Sequence, residues 1–281
     1  MKTSLLLLCF LTILHFSYAQ EKKWDVEKFH GPTKTFNIST DEGTWMNLDV
    51  SADGKDNVFD LLGDIYTMPV TGGTAALLSG AVAWDVQPRF SPNGKYISYT
   101  SDKTGADNIW IMNRDGSNKR QVTKETFRLL NNATWMPNSD YLIARKHFTG
   151  SRSLGAGEMW MYSIYGGEGV QLTKRKNHQQ DAGEPNVSPG GRYLYFSEDV
   201  SPGPNFEYSK DPNGVIYAIR QLDMTTGKLT DLIEQPGGSA RPQISPDGKM
   251  MAYVKRIRLK SVLAVQNINS GEEWTLTEDL T

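Results

Sequence analysis

Phe90-Ser91-Pro92-Asn93-Gly94-Lys95 is one copy of a short motif that this chain of 281 residues carries five times. Its proline fixes φ at one turn position and its glycine accepts a positive φ at another, so the motif predicts a tight hairpin between two strands. The second residue of each copy is called its anchor below, and the five anchors are Ser51, Ser91, Met136, Ser188 and Ser245. Successive anchors lie 40, 45, 52 and 57 residues apart. The shorter spacings are typical of a four-stranded propeller blade, and the longer ones predict inserted loops at residues 148–157 and 200–214.

The residues around the second motif predict four consecutive strands, at 87–91, 96–101, 108–112 and 119–123. No convincing amphipathic helix follows the first twenty residues. The predicted fold class is therefore all-β, a propeller of four-stranded blades, and the alternative is a flat sandwich of five hairpin pairs. After an N-terminal extension at 20–44, the propeller is expected over 45–281. Its five blades are expected at about 45–78, 84–123, 130–173, 180–233 and 240–277.

The first strand of each repeat alternates between polar and apolar residues. Residues four and two positions before each anchor are polar, and those three and one positions before it are apolar. This period places the two sets on opposite faces, with the apolar set expected against a neighbouring blade. Proline at positions 88, 185 and 242 lacks a ladder donor, so the strand is expected at a blade edge, where a propeller's innermost strand lines the channel.

The alternation predicts a ring of five equivalent channel-lining side chains at one depth, which we call the channel ring: Asn47, Gln87, Asn132, Glu184 and Arg241. Two interpretations remain open, namely solvated channel polarity and a set of groups that contact a ligand or partner. A side chain in a channel packs against nothing, so replacing Glu184 by leucine is expected to leave the fold intact. Trp135, on the apolar face, is expected to be buried between blades.

The first nineteen residues have the composition of a secretory signal peptide. Lys2 precedes an apolar run at 4–16, and Ser17 and Ala19 occupy the positions that a signal peptidase reads. We predict cleavage after Ala19 and export to the periplasm or beyond. The alternative, an N-terminal membrane anchor, would need about 20 apolar residues, and the run is shorter.

The composition excludes several other classes of protein. Hydrophobic residues make up 38% and charged residues 22% of the chain, which is typical of a globular domain and not of disorder. The net charge of −2 does not favour nucleic acid or an anionic membrane surface. Cys9, the single cysteine, lies in the leader, so a disulfide and a cysteine metal site are both excluded after cleavage.

The second repeat resembles the repeat of TolB-like propellers, through residues 90–95 and through Ile109-Trp110-Ile111-Met112-Asn113-Arg114-Asp115-Gly116. The resemblance covers about residues 45–277 and implies further blades, so five repeats predict an incomplete ring. Residues 41–50, 123–132 and 152–158 also look like the propeller half of large secreted bacterial amidohydrolases. In that family a metal-dependent hydrolase domain follows, so the resemblance implies a truncated product, a fragment or a split gene.

The sequence offers no catalytic residue of its own. After the leader the histidines are His30, His147 and His178, none paired at metal-ligand spacing, and no Gly-x-Ser-x-Gly elbow occurs. No cofactor is therefore expected in this chain. The resemblance implies a divalent, zinc-type metal only in the hydrolase domain that would follow.

These observations predict an interaction module, by resemblance the N-terminal scaffold part of a metal-dependent amidohydrolase. One alternative is a stand-alone TolB-like periplasmic propeller that binds proteins. Another is the propeller part of a prolyl-oligopeptidase-like serine peptidase. The expected partner is the chain's own hydrolase domain or another periplasmic protein or peptide, with no nucleic acid and no membrane span.

Overall fold

The structure, a computed structural model, describes residues 25–28, 31–150, 153–202 and 214–280, without the side chains of residues 149, 150, 153 and 154. The predicted signal peptide lies outside these residues. Within them the chain forms twenty strands and no helix. Accordingly, the described part of the chain holds no helix long and apolar enough to cross a membrane.

The twenty strands form five antiparallel sheets of four strands each, in chain order, which confirms the predicted propeller blades. Blade I contains β1 (Leu48–Val50), β2 (Asp56–Leu61), β3 (Asp64–Pro69) and β4 (Ala76–Ser79). Blade II contains β5 (Asp85–Phe90), β6 (Tyr96–Ser101), β7 (Asn108–Asn113) and β8 (Arg120–Gln121). Blade III contains β9 (Leu129–Trp135), β10 (Tyr141–Gly150), β11 (Ser153–Ser163) and β12 (Val170–Gln171). Blade IV contains β13 (Ala182–Val187), β14 (Tyr193–Asp199), β15 (Tyr217–Asp223) and β16 (Leu229–Ile233). Blade V contains β17 (Ser239–Ile244), β18 (Met250–Ile257), β19 (Lys260–Asn267) and β20 (Glu273–Thr275).

The five sequence motifs form the turns between the first and second strands of the blades. In blade II the Ser91 hydroxyl donates to Asn93 Oδ1 at 2.8 Å and accepts the N–H of Tyr96 at 2.9 Å. The residue at the glycine position of the turn has a left-handed backbone conformation, with positive φ, in every blade. In blade III this residue is Ser139, with φ of 61°. Glycine adopts this conformation without steric penalty, which explains its recurrence in the other four motifs.

A β-bulge interrupts the first strand in blades II to V, so the predicted strict alternation is wrong at one point. In blade II, Val86 pairs with Thr100 and Arg89 pairs with Ser98, which leaves two residues of β5 opposite one residue of β6. The first bulge residue is left-handed in each of these blades, with φ of 58° at Gln87, 52° at Asn132, 58° at Glu184 and 60° at Arg241. The bulge residues are therefore four members of the predicted channel ring.

The hydrophobic core lies between successive blades as four separate clusters. Between blades II and III, for example, Ile109 and Ile111 pack with Leu142 and Trp135, and all four are buried. Burial of one such aliphatic side chain contributes about 1.5–3 kcal/mol. The clusters join blade I to II, II to III, III to IV and IV to V.

The described residues of blades I and V share no such cluster, so the ring is incomplete, as predicted. The apolar face of blade I includes the paired row Leu48, Phe59, Tyr66 and Leu77. Leu48 and Val50, which were expected to pack against a neighbouring blade, are 51% and 47% exposed. That expectation was wrong for these two residues because no described blade lies against this face.

Blade V has a corresponding exposed face, on which Ala252, Val265 and Trp274 form a paired row. Trp274 is 43% exposed and the neighbouring Leu276 is 58% exposed. We call these two surfaces of blades I and V the open faces.

Candidate functional site at the central channel

The structure places all five residues of the channel ring around one cavity of about 170 Å³. Four lie on the first strands of blades II to V, and Asn47 immediately precedes the first strand of blade I. Arg89 and Gln243, which stand two residues before their anchors, line the same cavity. The five residues therefore line a common cavity, whereas their equivalence at one depth and their contact with a ligand remain predictions.

The channel ring connects neighbouring blades by hydrogen bonds. Gln87 Oε1 accepts the backbone N–H of Asn132 from the next blade at 2.8 Å. Glu184 Oε2 accepts the N–H of Arg241 in the same way at 3.0 Å. Each of these N–H groups belongs to a bulge residue, and a bulge leaves its extra residue unpaired in its own ladder. The bulge thus supplies a donor, and the ring side chain of the preceding blade supplies its acceptor.

Glu184 therefore does not point into empty solvent, and the expectation that this position contacts nothing was wrong. Besides the N–H of Arg241, its carboxylate accepts the Ser197 hydroxyl at 2.7 Å and the Arg241 guanidinium at 2.9 Å. Trp135, in contrast, is 6% exposed and lies between blades II and III, as predicted.

Sequence reasoning missed a set of polar residues on the second strands that support the ring. Asp60 accepts three hydrogen bonds, from the N–H and Nδ2 of Asn47 and from the N–H of Gln87, at 2.7–2.8 Å. Thr100 donates to Gln87 Oε1 at 3.1 Å, and Ser197 donates to Glu184. All three stand nine residues after their anchors, so the same repeat alignment contained the signal that would have found them.

A second level of contacts uses the residues two positions before the anchors. Asp49 Oδ2 accepts the N–H of Phe90 at 2.8 Å, and Asn186 Oδ1 accepts the N–H of Ile244 at 3.1 Å. Arg89 Nη1 lies 3.6 Å from Asp49 Oδ1. Burial raises the pKa of Asp49, although the Arg89 guanidinium and the Phe90 N–H oppose this effect. These bonds repeat the pattern of the ring, with an acceptor on one blade and a backbone donor on the next.

The cavity is left rich in donors because its principal acceptors are already engaged. Glu184 and Gln87 Oε1 hold the neighbouring blades, as described above. Within the described residues, Gln87 Nε2 and the Asn132 amide group have no protein partner, and the Arg241 side chain is 72% exposed. The cavity can therefore receive carbonyl or carboxylate oxygens.

The described histidines do not contribute to this channel. His147 lies on β10, where burial lowers its pKa, and His178 follows β12. His30 lies outside the described residues. Across the described ranges, no three or more histidine, cysteine, aspartate or glutamate residues come together in a way that could hold a metal ion.

Comparisons with known proteins agree with this architecture. The family model described as the TolB beta propeller domain matches residues 20–208, which is about two thirds of the chain. The Tol-Pal system protein TolB of Francisella tularensis subsp. mediasiatica is 26% identical over 195 residues, covering 68% of this chain and 40% of that protein. The uncharacterized peptidase YuxL of Bacillus subtilis is 22% identical over 181 residues, covering 62% of this chain and 23% of that protein.

Among solved structures, a putative TolB from Agrobacterium tumefaciens superposes with a TM-score of 0.67 at 17% identity, covering 82% of this chain and 79% of that one. This likeness concerns the fold alone. The fold and the family match together define a β-propeller of the TolB class. The chain belongs to the TolB β-propeller domain family. It spans less than half the length of the two curated relatives described above.

Proposed function

We propose that this chain is an exported interaction module whose channel binds a peptide segment of a partner protein. The observation that supports this function is the donor-rich cavity formed by the five blades. Backbone carbonyls and carboxylates of a peptide would accept from Arg241 and from the amides of Gln87 and Asn132. A cavity of about 170 Å³ is smaller than the 300–1,000 Å³ of a typical small-molecule pocket, which favours the tip of a larger ligand.

Export to the periplasm or beyond is part of this proposal. It rests on the composition of residues 1–19 and on the similarity to a Tol-Pal system protein.

A phage-displayed library of random peptides tests the binding function. Peptides selected on the wild-type chain should lose about tenfold or more in affinity for the Arg241→Gln variant, because a charge-assisted donor is lost. Arg192→Gln is the matched control, since Arg192 is an exposed arginine that pairs with Asp223 outside the channel. Selected peptides that bind wild type and Arg241→Gln equally well would place recognition elsewhere and contradict the proposal.

A second candidate function is the propeller scaffold of a hydrolase. It is supported by the resemblance to secreted amidohydrolases and by the similarity to the much longer peptidase YuxL. Any zinc-type metal would then belong to the hydrolase domain and not to the described blades. The genomic sequence beyond the codon for Thr281 tests this candidate. A His-x-His motif there would support the amidohydrolase, and a Gly-x-Ser-x-Gly elbow would support the serine peptidase.

A further inference from the structure

A second, larger cavity lies away from the channel, between the outer strands of blades II and III. Its volume is about 730 Å³, which falls within the range of small-molecule pockets. The strand β8 and the residues that follow it form one wall, and β11 with the loop at 165–169 forms the other. We call this cavity the rim cleft. None of the channel ring residues lines it.

Tyr162 supplies the rim cleft with a buried polar group that lacks a hydrogen-bond partner among the described residues. This tyrosine lines the cleft, is only 3% exposed, and its hydroxyl has no hydrogen-bond partner among the described residues. A buried hydroxyl without a partner is unfavourable and uncommon in folded proteins. Burial raises the pKa of Tyr162, and the charge of Glu125 raises it further, so the hydroxyl stays protonated and can both donate and accept.

The neighbouring polar groups carry both signs of charge. Lys146 Nζ lies 2.6 Å from Glu125 Oε1, and both side chains line the cleft and are mostly buried. The lining also includes Arg120, Lys124 and Glu168, so charges of both signs surround the cleft. A ligand anion would be repelled by the two glutamates, and a ligand cation would be repelled by the lysines and the arginine. A neutral ligand avoids both repulsions. If each of its polar groups can both donate and accept a hydrogen bond, the ligand can also satisfy the donors and the acceptors of the cleft.

Aromatic surface completes the cleft. Trp160 and Tyr165 line it, and Lys146 Nζ lies 4.4 Å from the Trp160 ring centroid. Aromatic rings offer apolar contact beside polar edges, which suits a ring compound that carries hydroxyl groups.

We propose that the rim cleft binds a neutral saccharide, held by the Tyr162 hydroxyl and the Lys146–Glu125 pair. A sugar hydroxyl donates and accepts at the same time, so it matches the tyrosine, the lysine and the carboxylate. The apolar face of the sugar ring would lie against the aromatic wall. This site is independent of the channel and of the partner proposed for it.

Saturation-transfer NMR with maltose, cellobiose and N,N′-diacetylchitobiose tests the proposal. Each sugar is used at about 10 mM, which would populate a site with a Kd near 1 mM. At least one of them should bind the wild-type chain, and the Tyr162→Phe variant should bind it at least about threefold more weakly.

The matched control is Tyr195→Phe, which removes another buried tyrosine hydroxyl, one that accepts a hydrogen bond from Gln221 away from the cleft. This control should bind the sugar as wild type does. Tyr162→Phe should melt no lower than wild type, since it removes a hydroxyl without a partner. The proposal is overturned if none of the three sugars binds, or if Tyr162→Phe binds as tightly as the control.

Discussion

Glu184 combines two roles at the level of the single residue, because it lines the channel and also holds two blades together. Its carboxylate accepts the backbone N–H of Arg241, which lies 57 residues further along the chain. It also accepts the hydroxyl of the buried Ser197, whose Oγ accepts the same N–H at 2.9 Å. A buried donor that loses its acceptor costs about 1–3 kcal/mol, whereas an exposed ion pair contributes about 0–1 kcal/mol. The hydrogen bond from Ser197, which in turn holds the Arg241 N–H, is therefore expected to matter more than the charge.

Replacing Glu184 tests this assignment. We expect Glu184→Leu to lower the free energy of unfolding by about 1–3 kcal/mol, because the buried Ser197 hydroxyl loses its acceptor, whereas the Arg241 N–H keeps Ser197 Oγ at 2.9 Å. Glu184→Gln keeps an acceptor oxygen and should cost less than about 1 kcal/mol. Trp135→Ala, in the interblade core, should cost about 3–5 kcal/mol. Urea denaturation measures all three, and equal stability of Glu184→Leu and Glu184→Gln would contradict the role in joining the blades.

At the level of the element, the first strands of blades II to V each contain a strained bulge residue. A left-handed conformation costs an ordinary residue roughly 1–2 kcal/mol, and blades II to V each hold one such residue in the bulge. The interblade hydrogen bonds from the N–H groups of Asn132 and Arg241 offset this strain. The four bulge residues also line a common cavity, together with Asn47 of blade I.

Asn132 allows the strain of the bulge to be measured by itself, because its side chain has no hydrogen-bond partner among the described residues. We expect Asn132→Val to destabilise the protein by about 1–3 kcal/mol, since a β-branched residue tolerates φ of 52° poorly. Asn132→Gly should be close to neutral, because glycine adopts this φ freely. Thr134→Val, on the same strand but outside the bulge, is the control and should also be close to neutral. Thermal unfolding measures these variants, and equal melting temperatures for Asn132→Val and Thr134→Val would show that the bulge is not strained.

At the level of the whole molecule, the five blades form an arc with two uncovered ends. Leu48 and Leu77 on blade I and Trp274 and Leu276 on blade V are each more than two fifths exposed. At each of the four interfaces between successive blades, such side chains are buried in a cluster. Exposed apolar patches of this kind favour association.

We therefore expect the chain, expressed alone without residues 1–19, to associate as its concentration increases. The double variant Leu48→Lys and Leu77→Lys should weaken association by about tenfold or more while leaving the melting temperature nearly unchanged, because both side chains are over half exposed. Phe127→Lys, which replaces an apolar residue 71% exposed between blades II and III, is the control. Sedimentation velocity measures the assembly, and a chain that stays monomeric at all concentrations would contradict this prediction.

The sequence by itself determined the blades and which residues stand around the channel. Ser91-Pro92-Asn93-Gly94 and its counterparts encode a turn locally, and prolines 88, 185 and 242 exclude a central strand position. Both signals act within a few residues, so they can be read without knowing what packs against them. The shared offset of the ring residues from their anchors then follows from repetition.

The tertiary structure alone decided what those residues do. Gln87 accepts the N–H of Asn132 only because the next blade brings that donor within 2.8 Å, a contact between residues 45 positions apart. The burial of the unpartnered Tyr162 hydroxyl and the exposure of Leu48 likewise depend on which blade lies beside which. Alternation shows that a side chain is polar and on one face, but its partner is set by the packing of separate blades, and a local pattern does not contain that information.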